Sequence, residues 1–191
     1  MGINEELEKH SIFLFDKKYY SRYVKKCIAA ATSEDEEVIN IPKLVQRLGF
    51  RVKFEDMDDK AIIEYDGQRH FADLIINKKL SLEDKNAIAV LIIAEFFCRF
   101  RKGLKKRIVF DMFYLSNIKL IRMSKQVFLA TRLAIPERVI TKLDNFNSDK
   151  QGYSQKSKLP IYFLDLARKR KSVELYLEFT DNAFTEWLNE I

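Results

Sequence analysis

The stretch Ser81–Phe100, SLEDKNAIAVLIIAEFFCRF, constrains the fold of this chain more than any other. Ser81 with Asp84 three residues on is a capping-box-like helix start. From Ala87 to Phe97 the segment is apolar nearly all the way round. A helix of that kind cannot lie on a surface and must be packed on several sides. Lys102-Gly103 then breaks it. The chain has the means to cover such a helix. Its 191 residues are 47% hydrophobic, and 15 Phe and 8 Tyr against one Trp predict an aromatic-rich interior. That length fits one large domain, or a domain with an appendage.

The flanking segments predict what packs around the helix. Residues 4–31 read as one or two helices, with Tyr20, Val24, Cys27, Ile28 and Ala31 at helical spacing. TSEDEE is an acidic loop. In NIPKLVQRLG, over 40–49, Pro42 suits a first turn, Leu44, Val45 and Leu48 form an apolar stripe, and Gly49 is the stop. The period then changes to two. Phe50, Val52 and Phe54 alternate with Arg51, Lys53 and Glu55, which predicts a half-buried strand. After the turn residues Asp56–Lys60 come a second strand at 61–65, the pair Asp66-Gly67, and a third strand at 71–77. Three antiparallel strands are the economical arrangement.

Beyond the central helix, Arg107–Leu115 is ambiguous between helix and strand. A helix over 116–135 follows, and Pro136 opens another short one. Residues 144–159, DNFNSDKQGYSQKSKL, read as a polar linker. Beyond it, 160–166 and 173–179 read as a strand pair around the basic turn ARKRKS, before a final helix with Phe184, Trp187, Leu188 and Ile191. The expected layout is a domain over 1–143, a linker over 144–159 and a hairpin-helix appendage over 160–191. The expected class is α+β, a small antiparallel sheet packed on a helical bundle.

The formal net charge of +6 permits contact with nucleic acid or an acidic partner without requiring it. The basic runs are short and read first as solvated turns. Two cysteines, Cys27 and Cys98, give no disulfide framework. The acidic, polar start MGINEELEKH is not a signal peptide, and no apolar run reaches the roughly 20 residues of a membrane span. A cytoplasmic protein is expected.

Several segments together resemble the ImmA/IrrE family of bacterial and phage proteins. They are LVQRLGFRV at 44–52, LIINKKLSLEDKNAIAVLIIAEFF at 74–97, and FLATRLAIPERVI at 128–140. The middle block looks like the family's strand ending in Asn followed by its metal helix, and the last resembles its F-A-x-x-L-L-M-P run. The likeness covers about residues 40–143. It implies a zincin-like core whose central helix carries H-E-x-x-H. Two His four apart lie on one helix face and hold Zn²⁺ together, while the Glu polarises the metal-bound water.

This chain departs from that pattern at every ligand. Ala94 stands at the first His and Cys98 at the second, with Glu95 retained. The family's third ligand, a Glu early on the next helix, falls in Met123-Ser124-Lys125-Gln126, which has no carboxylate. One Cys cannot make a catalytic zinc site, and Lys125 disfavours a cation further. His10, His70 and Cys27 have no ligand spacing. No metal and no cofactor are expected. Without a metal-bound water Glu95 has nothing to activate, and a pairing with Arg99 one turn on is the simpler role. No phosphate-cradling loop or Ser/His/Asp order is present.

Three functions compete. The first is a non-catalytic ImmA/IrrE-like protein that binds a helix-turn-helix repressor or regulator of a phage or mobile element, through a cleft near Glu95, Cys98, Arg99 and Lys125. The second is a divergent peptidase using Glu95 and Cys98, which needs a base near the thiol. The third is a nucleic-acid-associated regulator whose Arg168, Lys169, Arg170 and Lys171 contact phosphates. The C-terminal segment, with Phe184, Trp187 and Leu188 to cover, is a candidate for self-association.

Overall fold

The computed structural model describes residues 17–35, 37–66, 71–99, 106–110, 125–144 and 149–169. The elements run α1 (Lys17–Ala31), α2 (Ile41–Arg47), β1 (Phe50–Glu55), β2 (Ala61–Asp66), β3 (Phe71–Asn77), α3 (Leu82–Arg99) and β4 (Lys106–Phe110). Then come α4 (Lys125–Ala134), α5 (Glu137–Asp144), α6 (Lys150–Ser157) and α7 (Ile161–Arg168). The fold is α+β.

The first helices start and stop where the sequence says. Asn40 accepts a hydrogen bond from the Lys43 amide (3.0 Å), Pro42 lies in the first turn, and Gly49 takes φ 89°. That left-handed backbone is natural for glycine. The Arg47 carbonyl, left over at the end of α2, accepts from the Tyr23 hydroxyl (2.6 Å) and the Cys27 thiol (3.4 Å) of α1. Cys27 is thus a buried structural residue. The expected helical reading of residues 4–16 lies outside the described residues.

The sheet differs from the expected three-stranded antiparallel one. It has four strands in the order β1-β3-β2-β4 and is mixed. β1 runs parallel to β3, from Phe50 opposite Ala72 to Glu55 opposite Asn77, while β2 pairs antiparallel with both β3 and β4. The chain leaving β1 therefore crosses the end of β3 to reach β2. Asn77 makes that crossing possible. Its Nδ2 donates to the carbonyls of Met57 and Asp59 (2.5 and 3.2 Å), and its Oδ1 accepts from the Lys79 amide (2.9 Å). One buried amide side chain thus satisfies the main chain of a loop that would otherwise form a hairpin.

On the sheet's inner face lie Phe50, Ala61, Ile63, Ala72, Leu74 and Ile76, buried in the same core as α3. As expected, α3 is enclosed: Ala87, Ile88, Ile92, Ile93 and Ala94 are all fully buried. Its Ser81 hydroxyl accepts from the Asp84 amide (3.1 Å), as the capping box predicts. Phe96 wedges between the rings of Phe50 and Tyr65, at 5.6 and 5.5 Å between centroids, a range in which edge-to-face pairs attract. The other side of α3 is covered by α4, whose Phe128, Leu129 and Leu133 share the one core with Phe163, Leu164 and Ala167 of α7, a helix that packs on α4.

That last fact corrects two expectations. Residues 150–157 of the expected linker form α6, begun by Asp149, whose carboxylate accepts from the Gly152 amide (2.8 Å). Residues 161–168 form a helix of the main core rather than the first strand of a hairpin. Asn86 of α3 ties this segment down by donating to the Lys158 carbonyl (2.9 Å), and the Tyr162 hydroxyl donates to Asp84 (3.2 Å). The expected strand at 173–179 and final helix lie outside the described residues.

Candidate interaction groove

The turn of α3 where the family resemblance places metal ligands faces the interior. Ala94 has 0% exposure and Glu95 8%. Glu95 is engaged within the fold, and its neighbours Phe96 and Phe97 close the aromatic cluster with Phe50. The backbones of Cys98 and Arg99 continue α3, and Lys125 is the first residue of α4. The side chains of these three lie outside the described residues, as do His10 and His70. Among the described residues no three His, Cys, Asp or Glu side chains come together as a metal site. Arg168 lies in the last turn of α7 and Lys169 caps it, so these two cations belong to a helix end and not to a hairpin turn. Arg170 and Lys171 fall outside the described residues. No described helix is long and apolar enough to cross a membrane.

The open apolar surface is elsewhere. Four large apolar side chains among the described residues are exposed, and three of them gather at one place: Val52 (40%), Phe54 (58%) and Leu82 (53%). They border a groove of about 480 Å³. Its floor is the inner face of β1 and β3, with Phe50, Leu74 and Ile76. One wall is α2, with Ile41, Pro42 and Val45. The other is the first turns of α3, with Leu82, Lys85 and Ala89. The alternation along β1 was read as a half-buried strand. Only Phe50 of that stripe is buried, and Val52 and Phe54 farther along the strand stay uncovered.

Two charged residues line the groove, Arg51 and Lys85, and both are cations. Lys85 donates to the Lys78 carbonyl (2.9 Å) and holds its ammonium 5.5 Å from the centre of the Phe54 ring, within cation–π range. On the opposite face of the sheet, Arg51 and Lys53 both reach Asp73, at 2.6 and 2.9 Å. Burial pushes the Asp73 carboxyl up, but its hydrogen bonds to Arg51 and Lys53 outweigh that and hold it below the usual carboxylate range. The groove therefore offers an apolar bed with one cation, Lys85, at its edge. Sequence reading missed it because Leu82 sits in a polar capping turn, Ser81-Leu82-Glu83-Asp84, where one apolar residue carries no period. No family model matches the chain, and neither a curated protein nor a solved structure proved significantly similar to it.

Proposed function

We propose that this chain is a non-catalytic, ImmA/IrrE-like protein that works by binding another protein, and that its partner is a helix-turn-helix repressor or regulator of a phage or mobile element. The family reading draws support from the order of elements. A short helix and β1 lead to β3, which ends at Asn77; a buried helix carrying Glu95 follows; and α4, with the 128–135 run, covers that helix. The non-catalytic reading draws on Ala94, a methyl group sealed in the core at the first ligand position. The binding reading rests on one observation, the groove bordered by Val52, Phe54 and Leu82. Exposed apolar side chains gathered at a concavity mark a protein contact more often than scattered ones do. Its lining favours a partner segment with apolar side chains and a carboxylate.

The test is calorimetric titration of the purified chain with a helix-turn-helix repressor of the phage or mobile element that carries it. Binding is expected, and Leu82→Glu is expected to weaken it at least tenfold, about 1.4 kcal/mol. Leu82 is exposed, so the substitution leaves the fold intact. No heat of binding, or an undiminished affinity in Leu82→Glu, would sink the reading. Elemental analysis gives a second check, since stoichiometric zinc in the purified protein contradicts a non-catalytic site.

A further inference from the structure

We infer that the outer edge of β1 is a self-association surface, on which a second copy of this chain pairs antiparallel to form one eight-stranded sheet. The inference stands on the strand's open edge, and it shares Val52 and Phe54 with the groove of the partner reading above. β1 is the end strand of its sheet, and among the described residues no strand flanks its outer side. The Lys78 amide donates to the Glu55 carbonyl (2.9 Å), so the main-chain groups of Glu55, Lys53 and Arg51 face β3. By the alternation of a strand, those of Val52 and Phe54 point to the open edge. Open edges of this kind recruit another strand unless something blocks them.

The side chains choose the partner and the register. A two-fold axis through Lys53 sets Val52 opposite Phe54 of the second copy, and Phe54 opposite Val52. These are the two residues whose amides and carbonyls face outward, so they form the hydrogen-bonded pairs, and their exposed apolar side chains cover one another. The same axis sets Arg51 opposite Glu55 on the other face, twice. Those are non-hydrogen-bonded positions, where side chains approach most closely and opposite charges attract. Glu55 is exposed and no described cation pairs with it. The unfavourable contact is Lys53 against itself on the axis, moderated because each Lys53 is held 2.9 Å from its own Asp73. Shifting the axis to Val52 instead opposes Arg51 to Lys53 twice. An axis on Phe54 sets Lys53 opposite Glu55, but it leaves Val52 opposite Asp56 and Arg51 opposite Met57. The Lys53-centred register gives both exposed apolar side chains an apolar partner and both Arg51 residues an acidic one. A short ladder of this size belongs with small, concentration-dependent interfaces.

Sedimentation across a concentration series tests this. The mass is expected to rise from 22.6 kDa towards twice that value. Val52→Pro removes an outward amide at an edge position that tolerates proline, and is expected to stay monomeric with an unchanged thermal melt. Glu55→Arg sets Arg against Arg across the seam, and Arg51→Glu sets Glu against Glu. Each alone is expected to be monomeric, while an equimolar mixture of the two recovers the dimer. A wild type that stays at 22.6 kDa throughout overturns the inference. So does a dimer that Val52→Pro leaves intact, or a mixture that fails to pair. A monomer that still binds the repressor overturns this inference alone, and a monomeric Glu55→Arg variant that binds none overturns only the partner reading.

Discussion

The two ends of α3 serve opposite purposes. At its C-terminal half, Ile92, Ile93 and Ala94 are sealed between sheet and α4, and Phe96 is clamped by Phe50 and Tyr65. At its first turn, Leu82 stands exposed, Lys85 leans over Phe54, and a groove opens beside them. One helix thus changes from core to surface within about three turns. The half that chemistry would occupy in a peptidase is the half this fold spends on packing. The half away from those positions is the one that can meet another molecule.

Truncation should measure that contrast most directly. Phe128 of α4 is fully buried against the closed side of the core, so Phe128→Ala is expected to cost about 3–5 kcal/mol in a denaturant melt. Leu82→Ala, an equally apolar deletion at the exposed end of α3, is expected to stay within about 0.5 kcal/mol of wild type. A loss of several kcal/mol at Leu82 would mean that the groove is covered in solution and that the two ends of the helix are alike.

Restoring a histidine sharpens the comparison at the turn itself. Ala94 is fully buried. Ala94→His is therefore expected to destabilise the protein by about 1–3 kcal/mol through overpacking, and a buried imidazole without a partner adds to that. A variant at least as stable as wild type, or one that gains zinc, would show that this turn is still a cleft.

How far the sequence revealed this contrast depends on how local each signal is. The enclosed helix, the cap at Asn40, the stop at Gly49 and the capping box at Ser81 rest on residues within one or two turns, and all were legible. The strand order was not, because β1 and β2 are separated by a five-residue loop that looks like a hairpin. What sends it across β3 is Asn77, about twenty residues away in sequence. IYFLDLAR is a short apolar run, and such runs do not distinguish strand from buried helix by period. The polar helix α6 buries Ser157 and little else, so nothing in its pattern set it apart from a linker. The groove escaped for a related reason. Alternation along β1 tells which side chains share a face, but whether α2 and α3 cover that face is a tertiary fact.

The weakest expected effect lies at a third region, where the loop after α1 is held by charge instead of by packing. Lys156 of α6 reaches both Asp35 (2.8 Å) and Glu37 (2.9 Å), and Lys142 of α5 reaches Glu37 (2.8 Å). The Tyr153 hydroxyl donates to the Glu37 carbonyl (3.0 Å). The hydrogen bond from Lys156 holds the Asp35 carboxyl well below the usual range, and those from Lys142 and Lys156 lower Glu37. Carboxyls depressed in the folded state bind fewer protons there than in the unfolded chain. Their contribution is therefore complete above the ordinary carboxylate values, near pH 4, and fades as the pH falls through the folded values. Asp35, Lys142 and Lys156 are exposed and Glu37 partly so, so salt should screen the pairs. Amide exchange at Val38, whose N–H donates to Ser33 (3.0 Å), reports on the loop. It should quicken below about pH 4 relative to core amides, after correction for intrinsic rates. At neutral pH, Lys156→Ala should loosen it more than Lys142→Ala, since Lys156 binds two carboxylates and Lys142 one. Equal effects, or none in acid, would mean that the Tyr153 and Ser33 hydrogen bonds hold the loop without help from charge.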